Sequence, residues 1–194
     1  FWDQWDLLRN MFDRCELWQN HVAQGSYPDC DMLPIGRLGK GFGREWETNF
    51  TKDEQRTMMT LWCVFGSPLM IGAELTKLDA WTLDLLTRKE ILKLTANEYV
   101  GRQFEKNETY AVWSCLNEKN GERYLALFNF QESEQVLACC LKEVEQFSGL
   151  QGEVCGATEL WSGERLVFED VLTDTVPAHG VKLYQLDETP QQES

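Results

Sequence analysis

The chain has 194 residues, of which 43% are hydrophobic, and its 18 basic and 32 acidic residues give a formal net charge of −14. This composition is typical of globular domains, and the length allows one sizeable core or two small ones. An acidic chain with a pI near 4.5 repels phosphate backbones, so we expect no nucleic-acid partner. The two histidines, His21 and His179, are too far apart in sequence to predict a histidine-based metal site.

Seven cysteines lie at positions 15, 30, 63, 115, 139, 140 and 155, and none forms a Cys-x-x-Cys pair. Several are in apolar stretches, where cysteine acts as a small hydrophobe, so we expect a reducing cytoplasmic location. We find no signal-peptide pattern and no apolar run of membrane-spanning length, so we expect no membrane partner. Because the chain opens on Phe1 and enters a helical pattern at once, we expect it to be part of a longer protein.

The chain begins with a helical pattern that leads to a pair of acids. Apolar residues spaced 4-3-4-3 from Phe1 to Cys15 predict an amphipathic helix over residues 1–18. Asp29 and Asp31 follow in a short apolar segment that runs into a glycine-rich loop. Two acids at the end of a strand would point to one face, where α/β barrels hold polar chemistry. Spacing alone rather favours a plainer alternative, in which both acids cap a helix or bind nearby amides.

A buried helix and a strand are predicted next. A capping box of Thr51 and Glu54 predicts the start of a helix that is apolar nearly all round, and Gly66-Ser67-Pro68 ends it. The continuous apolar run 69–73 predicts a strand buried on both faces. Two helical stretches follow at residues 79–86 and 88–95, the second opened by another capping box at residues 87–90. This order predicts that residues 1–96 are the last part of a parallel α/β arrangement.

From about residue 97, short strands replace the helices. The stretches 110–113 and 124–128 flank Asn120-Gly121, a strong signal for a type I′ hairpin. Further strands are predicted near residues 135–141, 158–161, 166–172 and 181–186, with turns at Gly149, Gly152, Gly163 and Gly180. Short strands at this spacing predict an antiparallel β-sandwich over residues 97–188, and a polar tail over residues 189–194.

Several motifs of the sequence occur in a specific order. In the first half these are Tyr-Pro-Asp-Cys-Asp-Met-Leu-Pro-Ile-Gly at 27–36, Thr-Leu-Trp at 60–62, Ser-Pro-Leu-Met-Ile-Gly at 67–72 and Leu-Asp-Leu-Leu-Thr-Arg-Lys-Glu-Ile-Leu at 83–92. The second half contains the weaker motifs Glu-Leu-Trp-Ser-Gly at 159–163 and Val-Pro-Ala-His-Gly-Val at 176–181. Together they resemble the C-terminal part of α-galactosidases, the melibiase-like enzymes of glycoside hydrolase families 27 and 36. The resemblance implies the last part of a (β/α)8 TIM barrel followed by a C-terminal antiparallel β-sandwich.

The resemblance also implies a function and a sugar site. These enzymes are retaining glycoside hydrolases, so we expect the parent to cleave a terminal α-linked galactose or a related sugar. An Asp-Met pair after the seventh barrel strand lines their sugar pocket, and it corresponds to Asp31 and Met32. Asp31 would accept hydrogen bonds from sugar hydroxyls or neighbouring site residues, and Met32 would pack against the ring. Asp29 and Cys30 would support the loop, with Cys30 either a reactive thiol or, as we expect, an inert packed one.

The family's nucleophile and acid/base, which follow its fourth and sixth strands, would both lie before Phe1. Asp3 and Asp6 are near the expected acid/base position, but both fall inside the predicted helix, so we assign neither. We therefore expect this chain alone to be inactive. We also expect residues 1–96 to pair with the missing barrel half or with a second copy of the chain, or else to be poorly ordered. The resemblance implies no metal or organic cofactor.

An alternative function is a non-catalytic module, in which a sandwich with an attached barrel remnant serves stability or weak sugar binding. We expect His179 to be a residue of the sandwich edge, and Cys139 and Cys140 to point to opposite faces of a strand. The sequence leaves open whether the sugar is galactose, N-acetylgalactosamine or arabinose, and whether the reaction is hydrolysis or transfer.

Overall fold

A computed structural model of the chain describes residues 2–23, 25–144, 147 and 155–187, with the backbone alone described at Cys155. The chain divides into two compact units, Phe1–Asn97 and Glu98–Ser194. The predicted turns at Gly149 and Gly152 and the predicted tail at 189–194 lie outside the described residues. Across those described ranges, no helix combines the length and the apolar composition that crossing a membrane requires.

Helices dominate the first unit. They are α1 (Trp5–Trp18), α2 (Lys52–Phe65), α3 (Ala80–Thr87) and α4 (Lys89–Leu92). Single turns of 3₁₀ helix lie at Gln19–His21, Lys40–Phe42, Leu75–Lys77 and Lys93–Thr95. Two short strands, β1 (Arg37–Leu38) and β2 (Trp46–Glu47), pair antiparallel.

The two long helices follow their sequence signals. Helix α1 buries Leu8, Phe12 and Cys15 to 1% exposure or less, as the 4-3-4-3 spacing predicts. At the start of α2, the Thr51 hydroxyl accepts from the Glu54 amide (3.2 Å), and Glu54 Oε2 accepts from the Thr51 amide (2.7 Å), so the capping box is confirmed. Eleven of the 14 residues of α2 are buried, which confirms a helix that is covered nearly all round.

Two local predictions for the first unit are wrong. The predicted strand at 69–73 is a single parallel bridge between Leu33 and Ile71, and Ile71 is 41% exposed, because an apolar run does not reveal which of its faces have neighbours. The second capping box does not form. Thr87 Oγ1 instead donates to the Leu83 carbonyl (2.7 Å) within α3, the alternative bond open to threonine in a helix, and no side chain caps α4.

The second unit is the predicted antiparallel β-sandwich. Its large sheet has the order β3-β4-β5-β10-β7-β8, and β6 pairs with β9 in a second sheet. The strands are β3 (Tyr99–Lys106), β4 (Tyr110–Asn117), β5 (Arg123–Asn129), β6 (Gln135–Cys140), β7 (Cys155–Glu159), β8 (Arg165–Phe168), β9 (Val171–Val176) and β10 (Val181–Leu186). A 3₁₀ turn at Leu141–Glu143 follows β6. Residues of both sheets share one core cluster that includes Leu125, Leu172 and Tyr184.

The hairpin of β4 and β5 is confirmed, but its turn is not type I′. That turn needs positive φ at both central residues, whereas Gly121 has φ +76° and Asn120 has no positive φ. Asn117 Oδ1 accepts from the amides of Lys119 and Asn120, and this bonding holds a longer loop. Strand β3 has no counterpart among the predictions. The predicted strand at 166–172 is two strands, because the chain turns between Phe168 and Val171 without a glycine or proline.

Buried polar side chains fix the loops of the second unit. Glu159 is 1% exposed and accepts from the amide and hydroxyl of Ser162, both at 2.7 Å, and from the amides of Trp161 and Leu183, both at 3.2 Å. Asn129 Nδ2 donates to three carbonyls, including that of Pro177 (2.8 Å). Residues of the motifs at 159–163 and 176–181 therefore take part in hydrogen bonds that hold the loops of the sandwich.

Two further predictions concern residues of the sandwich. His179 has φ +51°, a side chain that is 12% exposed, and Nε2 at 3.2 Å from Glu132 Oε1. In β6, Cys139 is buried and Cys140 is half-buried, as expected for neighbours on opposite faces of a strand.

Candidate functional site

The candidate site is built on the acid segment, which we define as residues 27–33. It is anchored at Leu33, whose amide donates to the Met70 carbonyl (2.7 Å) and whose carbonyl accepts from the Gly72 amide (2.9 Å). A β-carbon at Gly72 would lie 3.0 Å from the Leu33 carbonyl oxygen, so glycine permits this close approach of the two backbones. The result is a short parallel pairing, with the acids just before it.

The two acids bind the backbone of their own segment. Asp29 Oδ1 accepts from the Asp31 amide (2.7 Å), and Asp31 Oδ1 accepts from the Met32 amide (2.7 Å). Asp31 has φ +75°, in the left-handed region that asparagine and aspartate tolerate best among residues with a β-carbon. The expectation that both acids lie on one face of a regular strand is therefore wrong, since the segment curls back through local hydrogen bonds before Leu33.

Two buried side chains hold the backbone of the acid segment by hydrogen bonds. Trp62 Nε1 in α2 donates to the Asp31 carbonyl (3.0 Å), and the Ser67 hydroxyl accepts from the Cys30 amide (3.0 Å). Both Trp62 and Ser67 are fully buried, so water does not compete for these two hydrogen bonds. The sequence analysis missed both residues as supports. They lie in the motifs at 60–62 and 67–72, but nothing in their spacing shows which backbone groups they reach.

The acid segment borders an open groove. The groove has a volume of about 740 Å³, and Asp29, Cys30 and Asp31 line it together with side chains of α1 that include Met11 and Arg14. Both acids are exposed. Met32 is 48% exposed but is not among the residues that line the groove. The structure thus brings three of the four predicted site residues to one groove and places the fourth beside it.

Trp2 also borders this groove and was not predicted. Its ring stacks on that of Trp62, with centroids 6.0 Å apart and an angle of 3° between the planes, and it makes a T-shaped contact with Phe50. Because Trp62 also donates to the Asp31 carbonyl, the stacked pair of Trp2 and Trp62 is connected to the acid segment by this hydrogen bond. No sequence pattern could have shown it, since the two tryptophans are 60 residues apart.

Asp3 has a structural environment in this unit. It lies before α1 and not inside the helix as expected, because α1 begins at Trp5. Its carboxylate is 1% exposed, and Oδ2 accepts from Trp46 Nε1 (3.0 Å), from the Asn49 amide (3.0 Å) and from Asn49 Nδ2 (2.9 Å). Asp6 is exposed in the first turn of α1. These contacts make Asp3 a buried acceptor that ties β2 and the following loop to the start of the chain.

Cys30 is packed beside a second thiol. Its Sγ lies 3.7 Å from Sγ of Cys15, and the two residues are 3% and 1% exposed. Burial, followed by the contact with Cys30, raises the pKa of the Cys15 thiol well above its usual value. The residues that the structure describes contain no group of three or more histidine, cysteine or acidic side chains that could hold a metal ion.

Comparisons with known proteins agree for the two halves of the chain. The family model described as alpha galactosidase A matches residues 1–97, and the model of the alpha galactosidase C-terminal beta sandwich domain matches residues 107–186. Alpha-galactosidase 2 of Arabidopsis thaliana is 25% identical over 189 residues, which are 95% of this chain and 44% of that protein.

Two solved structures extend the comparison. A GH27 β-L-arabinopyranosidase from Geobacillus stearothermophilus is 38% identical, with a TM-score of 0.88 over 100% of this chain and 44% of its own. Alpha-galactosidase I from Mortierella vinacea shares the fold at 20% identity, with a TM-score of 0.78 over 94% of this chain and 45% of its own. The chain thus spans less than half the length of these relatives.

Proposed function

This chain belongs to the alpha-galactosidase family of glycoside hydrolases, and on that premise we propose that it is the C-terminal portion of a retaining glycosidase that cleaves a terminal α-linked galactose or a related sugar. The observation that carries the proposal is the acid segment itself. Its backbone is fixed by buried groups of α2 and the turn after it, while the carboxylate of Asp31 lies exposed in the groove.

Asp31 and Met32 are the proposed sugar contacts. Asp31 Oδ1 is engaged by the Met32 amide, which orients the carboxylate and leaves Oδ2 for a sugar hydroxyl. The half-exposed side chain of Met32 offers an apolar surface to a sugar ring. Asp29 supports the loop through the Asp31 amide, and Cys30 does so through its bond to Ser67.

The nucleophile and the acid/base are proposed to come from other parts of the enzyme. A retaining mechanism needs two carboxyl groups about 5–5.5 Å apart that flank the scissile bond. The carboxylates described at this groove bind the backbone of their own segment, and the nearby Asp3 is buried with three donors on one oxygen. This geometry favours sugar binding for Asp31 and loop stabilisation for Asp29. We propose that the 194 residues alone do not hydrolyse glycosides.

The sugar is proposed to be α-D-galactopyranose or its close stereochemical match, β-L-arabinopyranose. The two pyranosides share the configuration of their ring hydroxyls and differ by the exocyclic hydroxymethyl group. The first appears in the names of the Arabidopsis and Mortierella relatives, and the second in that of the Geobacillus enzyme. A pocket that binds the shared ring hydroxyls through a carboxylate would accept either ring.

We propose a cytoplasmic location and a covering partner for the first unit. The six cysteines whose side chains are described are free thiols, as a reducing compartment maintains them. Exposed apolar side chains of the first unit include Leu17 (74%) and Trp18 (55%). Such a surface favours burial by the remaining part of the barrel or by a second copy of the chain.

The test uses the gene product that contains this chain and three nitrophenyl glycosides. We expect hydrolysis of the α-D-galactopyranoside, the β-L-arabinopyranoside or both. We expect none of the α-D-glucopyranoside, whose C4 hydroxyl is equatorial whereas that of the two matching sugars is axial. Proton NMR of the first product should show the anomeric configuration of the substrate. Absence of hydrolysis of both matching sugars, or a product of inverted configuration, would contradict the proposal. Turnover by the 194-residue chain alone would contradict its second part.

A further inference from the structure

We propose that Cys15 and Cys30 form a modification site, a dithiol that a small peroxide converts into a disulfide joining α1 to the acid segment. The proposal concerns the chemistry of the two thiols and does not depend on which sugar the protein binds. Through this bond, an oxidant acts on the segment that carries Asp29 and Asp31.

The two sulfurs are already in contact. They are 3.7 Å apart, although the residues are separated by 15 positions and belong to different elements. A disulfide has a sulfur–sulfur distance of 2.03–2.05 Å, so the sulfurs must approach by about 1.7 Å. Because the Cys30 amide is held by the Ser67 hydroxyl, this movement has to come from rotation of the two cysteine side chains about their χ1 angles.

A small oxidant can reach the pair. Both residues are almost fully buried, but both line the groove that opens beside the acid segment. Hydrogen peroxide is little larger than water, whereas a bulky disulfide reagent would have to displace neighbouring side chains. The site therefore selects small peroxides as the oxidant.

The reaction balances with one peroxide and two thiols. One thiolate attacks a peroxide oxygen, the O–O bond breaks, and a sulfenic acid and hydroxide form. The second thiol then attacks the sulfenic sulfur, which forms the S–S bond and releases water. In total, two thiols are oxidised by two electrons and one peroxide is reduced to two waters. Because burial raises the pKa of Cys15 above its usual value, we expect the reaction to be slow near neutral pH and faster as the pH rises.

The disulfide would restrain the candidate site. Cys30 lies between the two acids, and its amide is already held by the Ser67 hydroxyl. A covalent bond from its side chain to α1 would fix the same residue from a second direction. It would also close a loop of 15 residues in the unfolded chain, which stabilises the folded state.

The experiment measures the mass of one tryptic peptide that contains both cysteines. One tryptic peptide, residues 15–37, contains Cys15 and Cys30 and no other cysteine. The folded gene product that contains this chain is treated with hydrogen peroxide, unfolded, alkylated and digested. We expect this peptide to carry no alkyl group and to be lighter by two hydrogen atoms at its cysteines. Treatment with dithiothreitol before alkylation should restore two alkyl groups.

Two variants and a melting measurement complete the test. Oxidation should raise the Tm of the gene product by several degrees, as a disulfide that closes a short loop predicts. The shift should vanish in Cys15→Ser and persist in the control Cys140→Ser, whose half-buried thiol lies in β6. Two alkyl groups on peptide 15–37 after oxidation, or oxygen adducts on its cysteines without a bond between them, would overturn the proposal. The wild-type peptide decides this even if Cys15→Ser does not fold.

Discussion

The backbone of Asp31 predicts which substitutions at this position are tolerated. Its φ of +75° places the β-carbon in a strained arrangement, and its Oδ1 accepts from the Met32 amide (2.7 Å) within the same turn. Asp31→Asn keeps the tolerance for this conformation and the acceptor oxygen. Asp31→Gly removes both the strain and the acceptor, whereas Asp31→Ala keeps the strain and loses the acceptor.

The magnitudes follow from these contacts. The left-handed conformation costs an ordinary L-residue about 1–2 kcal/mol, of which Asp and Asn recover a part through local hydrogen bonds. The lost acceptor adds about 0.5 kcal/mol, at the low end of the usual range because the site is exposed and water can replace it. We therefore expect Asp31→Ala to destabilise the chain by about 1–2 kcal/mol, whereas Asp31→Gly and Asp31→Asn should each cost less than about 0.5 kcal/mol.

Thermal unfolding of the three variants checks this order. For a chain of this length, the alanine variant should lose about 2–8 °C in Tm, while the asparagine variant should stay within about 2 °C of the wild type. If Asp31→Ala were as stable as Asp31→Asn, the positive φ would not constrain this residue, and the account of how the segment is held would be wrong.

Two further predictions concern the second unit. Glu159→Gln should destabilise the chain by about 2–4 kcal/mol in urea unfolding, because either orientation of the amide turns its NH₂ group toward two backbone or hydroxyl donors. The exposed control Glu164→Gln should change stability by less than about 0.5 kcal/mol, and equal losses in both variants would contradict the role of Glu159. Burial and the hydrogen bond to Asp174 raise the pKa of Tyr184, so the folded state keeps a proton that the unfolded tyrosine loses above pH ~10. Stability should therefore fall above that pH, and Tyr184→Phe should reduce the slope by up to about 1.4 kcal/mol per pH unit; an unchanged slope would refute the assignment.

Some signals that act over a few residues predicted the structure correctly, whereas the second capping box and the type I′ turn were wrong. The Thr51–Glu54 capping box and the buried stripe of α1 need no information from the rest of the chain, and both are found. The antiparallel sandwich follows from short strands between turn residues, although the change from β8 to β9 was missed because no glycine or proline marks it.

The candidate site depended on contacts that sequence patterns do not show. Asp29, Cys30 and Asp31 line one groove, and their roles at a sugar site stay predictions. Their backbone conformation was predicted wrongly, because it is set by the distant side chains of Trp62 and Ser67 and not by strand periodicity. The contact of Cys15 with Cys30 could not be found either, since 15 residues and an irregular segment separate the two thiols.

The most direct test of the central claim is the kcat/KM of the gene product with Asp31→Asn, on whichever of the two matching glycosides it hydrolyses best. This variant should remain folded, and loss of a charged hydrogen bond to the sugar predicts a fall of about 10–100-fold. The control Asp84→Asn, an exposed residue paired with Arg88 beside α4, should stay within about twofold of the wild type. An Asp31→Asn enzyme with wild-type kcat/KM would contradict the claim that this carboxylate binds the sugar.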